Sequence, residues 1–161
     1  MIHRQQTGFT LLEILVVMVL IAIIAGMVGV NLKSDPTATV REEAQRLALL
    51  LQTAQEEAIL QGTLYAINLE PTRYHFLRLD VEGVMKNIDT DALLRQRELP
   101  DGVKIVNVLI NGADSEQEKK GFILTPLGDL PNFSIVLEDD GHRWQVEGFA
   151  DGSIKPAPVE T

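Results

Sequence analysis

One uninterrupted apolar run constrains this chain more than anything else: from Ile14 to Val30 no residue carries a charged or strongly polar side chain. At about 1.5 Å per residue, those seventeen residues rise roughly 26 Å as a helix. With Phe9 to Leu12 added, the run is predicted to cross a bilayer. A buried helix of a soluble protein is usually shorter and less purely aliphatic. A cleaved secretory signal fits badly, because its apolar core runs about 7 to 15 residues and ends at a small-residue cleavage site. Here the run is longer and no A-x-A-like site follows. Charge does not orient the span: Arg4 and the amino terminus precede it, while Lys33, Arg41 and Arg46 follow it.

The remainder reads as one soluble domain, since 161 residues accommodate an anchor plus a single domain of typical size. Of 14 basic and 23 acidic residues, setting aside Arg4, Glu13 and Lys33 leaves 12 and 22 beyond position 33, a net charge of −10. An acidic domain repels phosphate backbones, so nucleic acid is not expected as a partner. Cysteine is absent, which excludes disulfides and thiolate metal sites.

Glu13 interrupts the apolar stretch near its start. A carboxylate at the centre of a spanning helix costs about 2.5 to 3.5 kcal/mol, and less near an end. The helical neighbours three and four positions away are Phe9, Thr10, Val16 and Val17, which offer only the Thr10 hydroxyl. A compensating cation would therefore come from another chain or from a freed amino terminus. Such a pair, about 4 Å apart at an effective dielectric near 20, is worth roughly 4 kcal/mol. Two readings stand on physics alone: an assembly residue, or a carboxylate that snorkels to the interface or is protonated.

The string Gly8, Phe9, Thr10, Leu11, Leu12, Glu13, followed by an aliphatic helix, resembles the processing motif of type IV pilins and type II secretion pseudopilins. The resemblance implies cleavage after Gly8 by a prepilin peptidase, N-methylation of Phe9, and a role for Glu13 in docking onto the amino terminus of a neighbouring subunit. It also implies a retained apolar helix. Methylation preserves the amine's positive charge, so the Phe9 terminus would supply the cation that Glu13 needs.

Asp35 followed by Pro36 is a helix-start signal. Val40, Ala44, Leu47, Leu51, Ala54 and Ala58 then recur at alternating spacings of four and three, an apolar stripe that Leu49, Leu50, Ile59 and Leu60 widen. Arg41, Glu42, Gln45, Gln52 and Glu56 occupy the opposite face, and Gly62 is the expected C-cap. Packing within the domain is favoured over a coiled coil, because the stripe covers only about three heptads and uses Ala three times.

From Thr63 the pattern becomes short strands separated by turn signals. TLYAINL and YHFLRL flank EPTR as a hairpin. VKIVNVLI, GFILT, FSIVLE and RWQVEGF follow, with Asp140 and Gly141 suited to the last hairpin turn. A further short strand is expected through Gly152 to Lys155, and KPAPVET reads as a frayed tail. One helix with six to eight antiparallel strands predicts an α+β, pilin-like class: a long N-terminal helix, transmembrane then amphipathic, packed on an antiparallel sheet or sandwich.

The succession QEEAILQG, INLEPTRYHFLRLD, ALLRQRELPDGV, FILTPLGDLPNFSIVLEDDGHRW is similar to the H-type minor pseudopilins of type II secretion, which share their domain with minor type IV pilins of the FimT and FimU kind. The calcium-binding C-terminal loop of the major pseudopilin has no counterpart in GFADGSIKPAPVET. The implied organisation is a leader over 1–8, a transmembrane and assembly helix over 9–32, an amphipathic helix over 33–62 and a periplasmic β-rich domain over 63–161.

Nothing in the sequence points to catalysis or a cofactor. His3, His75 and His142 are far apart and outside any ligand spacing, and no G-x-S-x-G, P-loop or GxGxxG pattern occurs. The acidic runs Asp89 to Asp91 and Glu138 to Asp140 lack the twelve-residue calcium pattern. Trp144 is expected as a core or interface anchor, and the charged loop over 112–120 as solvent-exposed. The expectation is a non-enzymatic assembly protein of a Gram-negative inner membrane, single-pass with a periplasmic C-terminal domain. By resemblance it lies near the pseudopilus tip, where its partners are the major pseudopilin, the tip-complex minor pseudopilins and the prepilin peptidase. The alternatives are a minor type IV pilin for pilus assembly or DNA uptake, and a single-pass membrane enzyme or receptor.

Overall fold

In the computed structural model, which describes residues 11–28, 35–114 and 120–159, the chain forms two units, Met1–Ser34 and Asp35–Thr161. Within the first, Leu11–Val28 is helical (α1). Its large apolar side chains from Leu11 to Ile21 are all exposed, and they occupy every side of the helix. A helix apolar all round needs apolar surroundings. Among the described residues no helix is long and apolar enough to cross a membrane. The 18 residues of α1 rise about 27 Å against a hydrocarbon core of roughly 30 Å. The span expected over 9–32 extends beyond the described residues at both ends.

The second unit starts where Asp35 and Pro36 predict a helix. Asp35 caps α2 (Pro36–Gln61) by accepting a hydrogen bond from the Thr37 N–H at 3.1 Å, and Pro36 fills the first turn, where its missing N–H costs nothing. At the other end the Gly62 N–H donates to the Ala58 carbonyl. All six residues of the predicted stripe are buried, together with Leu50. Leu49, Ile59 and Leu60 do not widen it: they are exposed, because at about 100° per residue Leu49 and Leu60 fall on the side of the helix opposite the stripe and Ile59 falls on its flank.

Two five-stranded antiparallel sheets carry the rest. In the first, β1 (Tyr65–Glu70) and β2 (Arg73–Leu79) form the expected hairpin, with Glu70 opposite Arg73 across Pro71 and Thr72. The far side of β2 takes two short strands end to end, β3 (Met85–Asn87) and β4 (Arg97–Glu98). In the second sheet β5 (Lys104–Ile110) pairs with the two-residue β6 (Ala113–Asp114) and with β8 (Phe133–Asp139). The strand β7 (Lys120–Leu124) returns to the first sheet, beside β1. The second sheet ends with β9 (His142–Gly148) and β10 (Ile154–Pro158). The two-residue turn between β8 and β9 has φ of 46° at Asp140 and 81° at Gly141, the left-handed pair that a tight hairpin twist demands.

The ten strands among the described residues exceed the six to eight expected; the surplus is β3, β4 and β6, each too short for an alternating pattern. The frayed tail is also a misreading. Lys155 to Pro158 lie in β10, with Pro156 opposite Val146 and Pro158 opposite Trp144. Proline is tolerated there because β10 is an edge strand.

One core joins helix and sheets. The α2 stripe meets Ile67, Leu69, Tyr74 and Phe76 from the first sheet and Val108, Ile135, Leu137 and Val146 from the second. Phe122 on β7 stacks on Phe133 of β8 with ring centroids 4.4 Å apart, which ties the sheets together. Two buried or half-buried amides fasten the helix at its flanks. Gln52 Nε2 donates to the Ile154 carbonyl at 2.8 Å and Gln55 Nε2 to the Thr125 carbonyl at 3.1 Å. Gln52 thus departs from the exposed face that its spacing suggests.

Candidate assembly site

Glu13 lies in the first turn of α1, where the positive end of the helix dipole favours an anion. It is exposed on that helix. Gly8 and Phe9, the expected cleavage and methylation residues, lie outside the described residues, as does His3.

Several of the groups weighed for metal or acid–base chemistry have structural roles. Among the described residues no cluster of His, Asp and Glu could hold a metal ion. Asp91 accepts hydrogen bonds from the N–H groups of Leu93 at 2.7 Å and Leu94 at 2.9 Å, and these hold its carboxyl below the usual carboxylate range. Glu138 pairs with Arg143 across the last hairpin, and Asp140 forms the turn itself. His142 is exposed, and His75 is half-buried on β2 with Nε2 3.5 Å from the Asn68 amide. Trp144 packs half-buried against the core.

One polar cluster escaped the sequence reading. Glu43 on α2 is only 3% exposed and pairs with Arg46 one turn on. Burial raises its pKa above the usual carboxylate value, against the opposing pull of Arg46 and Arg97. Beneath it, the Tyr74 phenol is pushed up to about 12, chiefly by burial and then by the Glu43 charge. The signal was present: position 43 lies three after Val40 and four before Leu47, on the apolar stripe.

Comparison with known proteins matches both halves of this chain. The prokaryotic N-terminal methylation motif covers residues 3–29, and the profile described as type II transport protein GspH covers residues 43–152. This chain belongs to the GspH family. Type II secretion system protein H of Pseudomonas aeruginosa is 31% identical to this GspH-family chain, over 98% of it and 97% of the relative. The protein H of Vibrio cholerae is 32% identical over 92% of each. Among solved structures, the minor pseudopilin EPSH of the V. cholerae type II secretion system superposes with a TM-score of 0.65 at 20% identity, covering 78% of this chain and 98% of that one. The type IV minor pilin FimU of P. aeruginosa gives 0.52 at 15% identity, with 74% and 88% covered. These superpositions establish a shared α+β pilin-like fold. The GspH-family chain is a minor pseudopilin of type II secretion, and its family is structural rather than one known for enzymes.

Proposed function

We propose that a prepilin peptidase cuts this chain after Gly8, that Phe9 becomes the methylated amino terminus, and that the helix beginning there anchors the protein in the bacterial inner membrane with the β-rich domain in the periplasm. The subunit then enters a short pseudopilus near its tip, between the tip-complex minor pseudopilins and the major pseudopilin, and supports export of folded proteins across the outer membrane. Glu13 docks the incoming subunit through a charge pair with the amino terminus of its neighbour, and the all-round apolar surface of α1 packs among other subunit helices. The observation that carries this reading is the joint match of a methylation motif over 3–29 and a GspH domain over 43–152 on one chain.

Two measurements test it. Mass spectrometry of the native chain is expected to find methylated Phe9 as the first residue; an intact Met1 overturns the processing step. Glu13→Ala is expected to reduce incorporation into filaments and secretion at least tenfold, the equivalent of about 1.4 kcal/mol of a pair worth roughly 4. Unchanged incorporation and secretion refute the docking role. The FimU likeness shows a shared fold and does not by itself carry the alternative role of a minor type IV pilin. A DNA-capturing version of it requires a salt-dependent gel shift that the acidic domain argues against.

A further inference from the structure

A second polar locus lies within the ectodomain. Glu43 and Arg46 on α2, and Arg95, Gln96, Arg97 and Glu98 on the segment entering β4, line a cavity of about 250 Å³. Three guanidinium groups converge there in a chain of net charge −9. Among the described residues only one of them forms an ion pair: Arg46 pairs with Glu43. Arg97 turns Nε and Nη2 to main-chain carbonyls, that of Leu93 at 3.4 and 3.2 Å and that of Ala92 at 3.5 Å. Arg95 is exposed and makes no hydrogen bond or ion pair among the described residues. Behind them Tyr74, opposite Arg97 in the β2–β4 pairing, is fully buried with its hydroxyl unbonded. A buried donor without an acceptor is costly and rare, so the region is polar to its floor and incompletely satisfied.

The size and charge of the cavity select its ligand. It is smaller than the roughly 300 to 1,000 Å³ typical of cofactor and drug-sized sites. Its two glutamates oppose a dianionic phosphate and leave the lining one net positive charge. A planar carboxylate matches both that charge and the fork of an arginine, which binds it through two parallel N–H donors. We propose that this cavity receives a carboxylate side chain from an acidic segment of a neighbouring polypeptide, held by Arg95 and Arg97. That the neighbour is another filament subunit rests on the function proposed above; carboxylate recognition itself does not.

The test titrates the full-length chain, in nanodiscs and with nitrogen-15 in its arginines, with triglutamate and separately with inorganic phosphate at constant ionic strength. Because the protein is acidic, general electrostatics oppose triglutamate and binding reports a local site. Saturable shifts of the Arg95 Nε–H signal and of the Arg97 guanidinium signals are expected. Arg95→Gln, which removes no internal contact, and Arg97→Gln are each expected to weaken binding at least tenfold, whereas Lys155→Gln on β10 changes it less than twofold. If Arg97→Gln fails to fold, Arg95→Gln alone decides. Absence of saturation, equal weakening by Lys155→Gln, or phosphate binding as tight as triglutamate overturns the proposal. Glu13→Ala leaves this titration unchanged, so failure of filament docking and failure of this pocket are separate results.

Discussion

Gly121→Ala probes how the two sheets are held together. Gly121 on β7 lies opposite Asn68 of β1. A Cβ added there would sit 2.2 Å from the Ile67 carbonyl oxygen, 3.2 Å from its carbon and 3.3 Å from Asn68 Cα. All three are main-chain atoms, so no rotamer change relieves the clash, and β7 must move away from β1 by about 1 Å to restore ordinary packing. That strand carries Phe122 and the fully buried Leu124 into the core, and Phe122 is the half of the aromatic stack contributed by the first sheet. Overpacking costs about 1 to 3 kcal/mol, and loosening the stack adds about 0.5 to 1.5. The reduced freedom of the unfolded chain returns about 0.4 to 1. The expected loss is therefore centred near 2 kcal/mol within a range of about 0.5 to 4, read from urea unfolding followed by Trp144 fluorescence, with faster amide exchange along β7. Ile123→Ala, at a half-exposed neighbour on the same strand, is expected to cost less than about 1 kcal/mol. A Gly121→Ala protein within about 0.5 kcal/mol of the parent, with β7 amides equally protected, would refute the close-approach argument.

Asp35→Ala removes the acceptor for the Thr37 N–H and is expected to cost about 0.5 to 2 kcal/mol in urea unfolding, with Asp35→Asn recovering most of the loss. Glu43→Gln tests the buried acid through its pH dependence. The folded pKa of Glu43 is raised above 4.5, so the stability that its proton confers is fully present below 4.5 and is lost as pH rises through the folded value. The parent is expected to lose stability between pH 4.5 and neutrality relative to Glu43→Gln, which lacks that step. Asp80, Asp91 and Asp151, whose pKa values are lowered from 3.8, change charge below this window. A difference between parent and variant that runs the opposite way with pH contradicts the assignment.

Much of the fold is legible locally. The α2 cap, stripe and C-terminal glycine follow from spacing, and the β1–β2 and β8–β9 hairpins from turn chemistry between alternating runs. What escaped reading is non-local or short. The pairing of β7 with β1 joins residues more than fifty positions apart, and β3 and β4 are too brief to show a period. The start of β10 falls within the short strand expected through Gly152 to Lys155, but prolines hide its second half from propensity reasoning, although an edge strand tolerates them. At the candidate site Glu13 was visible because a lone acid in an aliphatic run has to be explained. Glu43 was legible only by position, three after Val40 and four before Leu47 on the apolar stripe; its charge suggests a solvated face like that of Glu42, and the packed sheet shows that position prevails.

The two prolines of β10 also decide how the domain meets the outside. The Val159 N–H turns inward to the Arg143 carbonyl, and by alternation the nitrogens of residues 158 and 156 face away from β9. Both carry a ring in place of a hydrogen. A foreign strand laid along this margin finds carbonyls but no donors at those two positions, so the second sheet is blunted against sideways growth, and self-templated fibres are discouraged without covering the border with any other element.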